Sequence, residues 1–302
     1  MTEKVGYNTA QLFNFSQDSY LERTSRPIYG LFFLVPFLVF YELGTILTHT
    51  DALSRAQDRV VAFVWLQSFL DTYLGLGGKF AWIAPPLVVV VILLALQLAS
   101  RKSWNLSIRD TGPMAMECVL LAVPLIVLSL FLSGPVARSS DMAQGACREV
   151  QMYTVVMSEG NPETDNSAAA EKPDDRISKE SFLADIVTGI GAGIYEELIF
   201  RLILMCILMV LLQDIIGMTH ANAIVLSVLI SAALFSAHHH VVFVNGRLTS
   251  ASAFNWTEFS FRTMAGVYFA VLFAIRGFGI TAGTHAFYDI IATVINIAFF
   301  QH

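Results

Sequence analysis

The stretch GIYEELIFRLILM, Gly193 to Met205, sets two adjacent glutamates and an arginine inside an otherwise apolar run. A charged side chain at mid-membrane costs about 2.5–3.5 kcal/mol on the insertion scale, so these groups are expected to face protein or water and not lipid. Glu197 and Arg201 stand at i and i+4, the favoured order for an ion pair on one helix face. Glu196 lies about 140° around the axis from Arg201 at roughly 100° per residue. Arg201 then neutralises Glu197 and leaves Glu196 to project into a cavity.

Two more clusters sit in the following apolar runs. FSAHHH places Phe235 one turn before His239, and THAFYD places His285 one turn before Asp289; each pair shares a helix face. A carboxylate and two imidazoles carried by three helices converge only inside the bundle. The chemistry they suit is hydrolysis: Glu196 as base to deprotonate a water, and His239 to orient that water or bond the oxyanion. His285 and Asp289 could act from the other side, with Asp289 also able to fix the tautomer of an imidazole.

The elements that must position these groups are membrane helices. The chain has 302 residues, 55% hydrophobic and only 14% charged, with a mean hydropathy of +0.62. Runs of about 18 or more apolar residues mark spanning helices, because a helix satisfies its own backbone in hydrocarbon. Such runs cover Pro27–Leu47, Phe80–Ala99, Met114–Leu132 and Ala221–Ala237, with two more near Phe259–Ile275 and Phe278–Phe300. Leu183–Ile216 is longer than one perpendicular span needs, so it is either tilted or broken. Val60–Gly78 carries Asp71 and ends in a glycine pair, so it crosses, re-enters or lies on the surface. The expected fold is an all-α, polytopic membrane bundle of seven to eight transmembrane helices, with the first run retained as a span and not cleaved as a leader.

Three regions are expected: N-terminal spans over 1–135, a polar acidic loop over 136–182, and a C-terminal catalytic bundle over 183–302. All nine prolines lie at or before Pro173, so the C-terminal half is expected to form unkinked helices. Cys118, Cys147 and Cys206 show no paired spacing and read as packing residues. A net charge of −6, thinly spread, offers no footprint for nucleic acid. Arg23 and Arg26 before the first span, and Arg101, Lys102 and Arg109 in a short loop, all point to the cytoplasm; the two signals conflict if Val60–Gly78 crosses. The glycines of GIGAG, Gly189 to Gly193, read as close helix packing. His238 and His240 read as interfacial, with a metal as the alternative, and His220 as solvated. Glu42, Glu117 and Asp185 read as packing or topology residues.

Taken in order, E-E-x-x-x-R (Glu196, Glu197, Arg201), F-x-x-x-H (Phe235, His239) and H-x-x-x-N/D (His285, Asp289) on successive apolar helices resemble the CPBP family of intramembrane proteases. That family is named for CAAX and bacteriocin processing, is also called Abi, and includes the Ras-converting CAAX endopeptidases. The resemblance covers roughly Ala184 to Phe300. It implies peptide-bond hydrolysis within the membrane by a glutamate-activated water: Glu196 as base, Glu197 and Arg201 as its structural partners, His239 and His285 as the other catalytic groups, and Phe235 as a wall of the site. Asp289 stands where the prenyl-protein proteases have asparagine; an ionised aspartate cannot donate to an oxyanion, so it is either protonated or orients His285. The implied partners are a peptide or protein substrate, lipidated or not, and membrane lipid; the implied location is an integral, multi-pass one, in the cell membrane if the source is prokaryotic.

Two alternatives use the same residues. A zinc-dependent membrane hydrolase would take Glu196, His239 and His285, with or without Asp289, as ligands, although H-E-x-x-H is absent. A non-enzymatic immunity or proton-relay protein would use the carboxylates and histidines as a relay or as bundle glue. In every case convergence requires that helix 221–237 run past His239 or that the run 183–216 break.

Overall fold

The computed structural model describes residues 16, 18–47, 61–75, 83–132, 175–239, 241–244, 247–250 and 256–300. Residues 136–174 of the expected loop, Cys147 and His240 lie outside these. The helices are α1 (Tyr20–Thr24), α2 (Pro27–Leu47), α3 (Val61–Leu74), α4 (Ala84–Ser100), α5 (Thr111–Leu132), α6 (Asp175–Glu197), α7 (Met205–Met209), α8 (His220–His238), α9 (Trp256–Arg276) and α10 (Phe278–Phe300). A short antiparallel hairpin, β1 (Val241–Val244) with β2 (Arg247–Ser250), joins α8 to α9 and pairs Val241 with Ser250 and Val244 with Arg247.

Six helical stretches are long and apolar enough to cross a membrane, and the protein is an integral, multi-pass helical bundle. α4, a shorter apolar helix of 17 residues, sits at the lower limit of about 17 that a span requires. α3 has 14 residues and reaches only about 21 Å at 1.5 Å per residue, short of a hydrocarbon core about 30 Å thick. Lys102 Nζ reaches Glu22 at 3.4 Å, Arg26 bonds Ser103, and Arg23 reaches Asp110 at 3.1 Å. Both basic segments therefore lie at one end of the bundle, and the two orientation signals agree.

The long apolar run stays helical over all 34 residues of Phe182–Ile215, which favours a tilted crossing over a break. It is not uniform, however. Two π-helical segments, Leu198–Leu204 and Val210–Ile215, interrupt the α-helix on either side of α7. The absence of proline from this half led to an expectation of unkinked helices; the irregularity arises instead from i→i+5 bonding, which is frequent at functional sites. The first π segment begins immediately after Glu197.

α10 is the central element, packed against α2, α5, α6 and α9. Small residues permit that closeness. A Cβ on Gly193 would lie 2.5 Å from the backbone N of Ala286, and one on Gly189 would lie 2.7 Å from Cβ of Asp289. The glycines of the GIGAG run thus bring the helix of Glu196 against the helix of His285. α2 and α5 join the same bundle as α6 and α10, and α6 begins at Asp175, inside the stretch expected to be loop.

At the end of the bundle where α9 stops, Arg276 is 5% exposed and fully engaged. Its Nε and Nη2 donate to the two carboxylate oxygens of Glu117 at 2.5 and 2.8 Å, and its remaining donors meet Leu21 O, Ser25 Oγ and Thr24 Oγ1. Tyr20 donates to Glu117 as well, at 2.8 Å. This clamp ties α1 and α5 to α9. Glu117 is therefore a packing residue, as expected.

Candidate active site

Glu196 closes α6 together with Glu197, and the two carboxylates separate as helical geometry requires. Glu197 and Arg201 are both fully buried, with Oε2 of one 3.1 Å from Nε of the other. Arg201 also donates from Nη2 to the Gly266 carbonyl at 3.3 Å, and its guanidinium carbon lies 4.2 Å from the Phe235 ring centre. Attraction of a cation to a ring face adds about 2 kcal/mol or more when desolvated. Phe235 is thus a buried wall that holds the arginine.

The other oxygen of Glu197 accepts a hydrogen bond from His285 Nδ1 at 2.8 Å. That bond assigns Nδ1 as the protonated nitrogen and points Nε2 away from Glu197. The His285 ring is stacked on Phe269, 4.5 Å between centres and 17° between planes, so both its tilt and its rotation are constrained. His285 Nε2 lies 4.0 Å from Glu196 Oε2 and 3.6 Å from Asp289 Oδ2. Both separations exceed a hydrogen bond. The tautomer of His285 is thus set by Glu197, and Asp289 sits beside the Nε2 edge of the ring.

His239 is the C-cap of α8 and His238 its last residue. The ring Nδ1 atoms of both approach the Phe235 carbonyl, at 2.9 and 2.7 Å. A carbonyl only accepts, so each Nδ1 carries the proton. Helix C-terminal carbonyls lack intrahelical donors, and a histidine in the last turn commonly supplies one. Both rings then direct Nε2 at the same atom: Glu196 Oε1 is 3.7 Å from His239 and 3.8 Å from His238. His238, expected at an interface, is instead 4% exposed and lies beside Glu196. Its signal was the HHH run at a helix end, where rings at i+3 and i+4 can share one carbonyl.

Glu196 is 3% exposed, yet it opens on a cavity of about 540 Å³. His239, His285, Asp289, Phe235 and Phe269 wall it around the acid, and Asp185, Arg262 and Asn296 stand farther along. Asp185 and Arg262 were not singled out by any motif. Arg262 also pairs with Glu258 at 3.3 Å, one turn back on α9. Every residue of the three motifs therefore lies at one site. Convergence is reached with α8 ending at His238 and with a π turn, and no break, after Glu197.

The zinc alternative changes its donors. Among the described residues, the group able to hold a metal is Glu196, His238 and His239, whose ligand atoms lie within 4.8 Å of one another. His285 leaves the expected set because its Nδ1 is spent on Glu197 and its Nε2 faces the other oxygen of Glu196. His220 bonds Gln213 at 2.8 Å, far along the same helix from the site.

No curated protein and no solved structure matches the chain. Residues 178–291 match the family described as Type II CAAX prenyl endopeptidase Rce1-like. That span begins within α6 and ends within α10, and it contains Glu196, Glu197, Arg201, His239, His285 and Asp289. The match spans 114 of the 302 residues and makes this stretch of the membrane protein similar to that family.

Proposed function

We propose that the protein is an intramembrane endopeptidase in which Glu196 activates a water to cleave a peptide bond. The observation that carries this reading is the placement of a buried carboxylate on a cavity, with imidazole nitrogens from two other helices 3.7 and 4.0 Å away. A water fits between groups at such separations and bonds to each. Glu196 takes its proton, the oxygen adds to the carbonyl carbon, and Glu196 returns the proton to the departing amine.

The two histidines have different duties. His239 gives its only proton in the neutral form to Phe235 O, so its Nε2 accepts a bond from the water and fixes the direction of attack. His285 is surrounded by Glu197, Asp289 and Glu196, and a second proton on Nε2 is matched there by carboxylates. Nε2–H of His285 is then the donor for the oxyanion. Asp289 accompanies that proton and need not touch the oxyanion.

The substrate is a peptide segment that reaches the cavity from the membrane. Phe235, Phe261, Phe269 and Ile297 give the cavity apolar surface, which suits a lipidated or transmembrane peptide. The test is cleavage of a prenylated CAAX peptide and of its unprenylated form by purified protein, with products weighed by mass spectrometry. Glu196→Gln is expected to lower the rate by about 10³-fold or more while leaving the thermal midpoint in place. Wild-type rates in Glu196→Gln would overturn the role of this acid.

A further inference from the structure

We infer that the segment joining α4 to α5, Arg101 to Asp110, is a binding surface for the headgroups of anionic phospholipids, with Arg101 and Arg109 as its phosphate-binding groups. None of its residues takes part in the proposed hydrolysis. The segment is fixed from behind. Gln97 Nε2 donates to the Lys102 and Ser103 carbonyls at 3.0 and 3.3 Å, and the Ser107 N–H donates to Tyr29 Oη at 3.0 Å. Arg26 bonds the Ser103 hydroxyl, Lys102 pairs with Glu22 at 3.4 Å, and Arg23 holds Asp110 at 3.1 Å. These bonds set the shape of the segment before any ligand arrives, which lowers the entropic cost of binding.

Its outer side carries apolar side chains bracketed by cations. Trp104, Leu106 and Ile108 are 51, 42 and 76% exposed. A spacing of two puts side chains on one side of an extended stretch, and Ser107, between the last two, has extended φ and ψ of −118° and 112°. Arg101 and Arg109 stand at either end and are exposed. Neither has an ion-pair partner among the described residues, whereas Arg23, Arg26 and Lys102 behind them all do. Arg101 caps α4 in the left-handed region, with φ 53°, where glycine sits more easily.

The surface lies at the membrane boundary. It follows the last turn of α4, and Ile108 opens a candidate span of 25 residues, Ile108–Leu132. At 1.5 Å per residue that span is about 37 Å long against roughly 30 Å of hydrocarbon, so its ends reach the headgroup layer. Tryptophan settles at this level because its ring is apolar and its N–H polar. Arginine at the same level presents a planar fork of donors to a phosphate. A zwitterionic headgroup brings an ammonium with each phosphate, whereas a net anionic one leaves two otherwise unmatched arginines neutralised. The basic residues of this end mark it as cytoplasmic, and the cytoplasmic leaflet is the one that carries anionic lipid.

The test places the full chain in phosphatidylcholine vesicles in which one fifth of the lipid is tail-brominated, as phosphatidylglycerol or as phosphatidylcholine. Bromine quenches nearby indoles, and the difference between wild type and Trp104→Phe isolates Trp104 from the other three tryptophans. Each arginine near an anionic surface favours it about five-fold, so brominated phosphatidylglycerol is expected to quench Trp104 at least about two-fold more than brominated phosphatidylcholine. Arg101→Gly, which suits the turn, combined with Arg109→Gln should bring the two lipids to parity. If that double variant does not fold, wild type in 1 M NaCl replaces it, where charges are screened beyond about 3 Å, with the same expectation. Equal quenching by the two lipids in wild type, or a preference that survives loss or screening of both arginines, would overturn the anionic-lipid site. Trp104 left unquenched by either lipid would assign this face to a protein partner or a second copy of the chain and overturn it as well. The fluorescence reports whether or not any peptide is cleaved, so it stands or falls apart from the endopeptidase reading.

Discussion

Two of the buried polar clusters among the described residues are built by opposite rules. Around Arg276, each donor meets an acceptor directly: Glu117, Leu21 O, Ser25 and Thr24 all lie between 2.5 and 3.0 Å. Around Glu196 the partners stand back, with three imidazole nitrogens between 3.7 and 4.0 Å and a cavity in between. A polar group buried in hydrocarbon is expensive unless bonded, so the first arrangement stabilises the fold. The second leaves capacity for a water and a substrate. Glu197 belongs to both worlds: it is saturated like the clamp, by Arg201 and His285, and it orients one of the groups that is held open.

The comparison makes Glu197→Gln the most damaging of the substitutions that spare the base itself. It removes the counter-charge of the fully buried Arg201, at a cost of about 3–5 kcal/mol. It also weakens the acceptor that sets the tautomer of His285, which lowers kcat by about 10–100-fold. Thermal unfolding and single-turnover cleavage, measured on one preparation, should both fall. A loss of stability alone would move Glu197 entirely to the structural side.

Glu117→Ala should separate the clusters. It leaves Arg276 without its carboxylate and lowers stability by about 3 kcal/mol, while the rate per folded molecule stays within about two-fold. A large change in kcat would show that the clamp and the site are coupled.

The smallest effect is one of pH, at the periphery of the clamp. Burial pushes the Glu22 carboxyl up, but its hydrogen bond to Arg26 and the charges of Arg26 and Lys102 outweigh this and hold it below the ordinary 4.5. A depressed carboxylate contributes stability that is fully present above 4.5 and is lost as pH falls through its lower folded value. Glu22→Gln should therefore flatten the acid limb of the thermal midpoint between pH 5 and pH 3, by about 1 kcal/mol or less, because Arg26 keeps Asp18 as a second acidic partner. An unchanged limb would assign acid sensitivity to other groups.

Much of this was legible in the chain because helices repeat. The i, i+4 spacing gave Glu197 with Arg201, Phe235 with His239 and His285 with Asp289 without any knowledge of packing. What crossed between helices was hidden. Glu197 and His285 are 88 positions apart, and Glu117 and Arg276 are 159 apart; no local pattern joins them. Asp289 was expected either to be protonated or to orient His285; the acid bonded to the His285 ring is Glu197, because Gly193 and Ala286 bring α6 and α10 together at that level. His238 was expected at an interface, and it sits beside Glu196 for a geometric reason. Adjacent helical residues normally diverge by about 100°, but at a helix terminus two rings can turn back to one free carbonyl. The π segment after Glu197 was hidden too, since neither proline nor glycine marks it.

The central claim is that water, and not the Glu196 carboxylate, attacks the peptide. One turnover in H₂¹⁸O with enzyme in excess of substrate tests it, followed by mass measurement of both the product and the enzyme fragment that contains Glu196. The account predicts one ¹⁸O in the new carboxylate of the product and none in Glu196. Label in the Glu196 side chain would reveal an acyl-enzyme anhydride and contradict it.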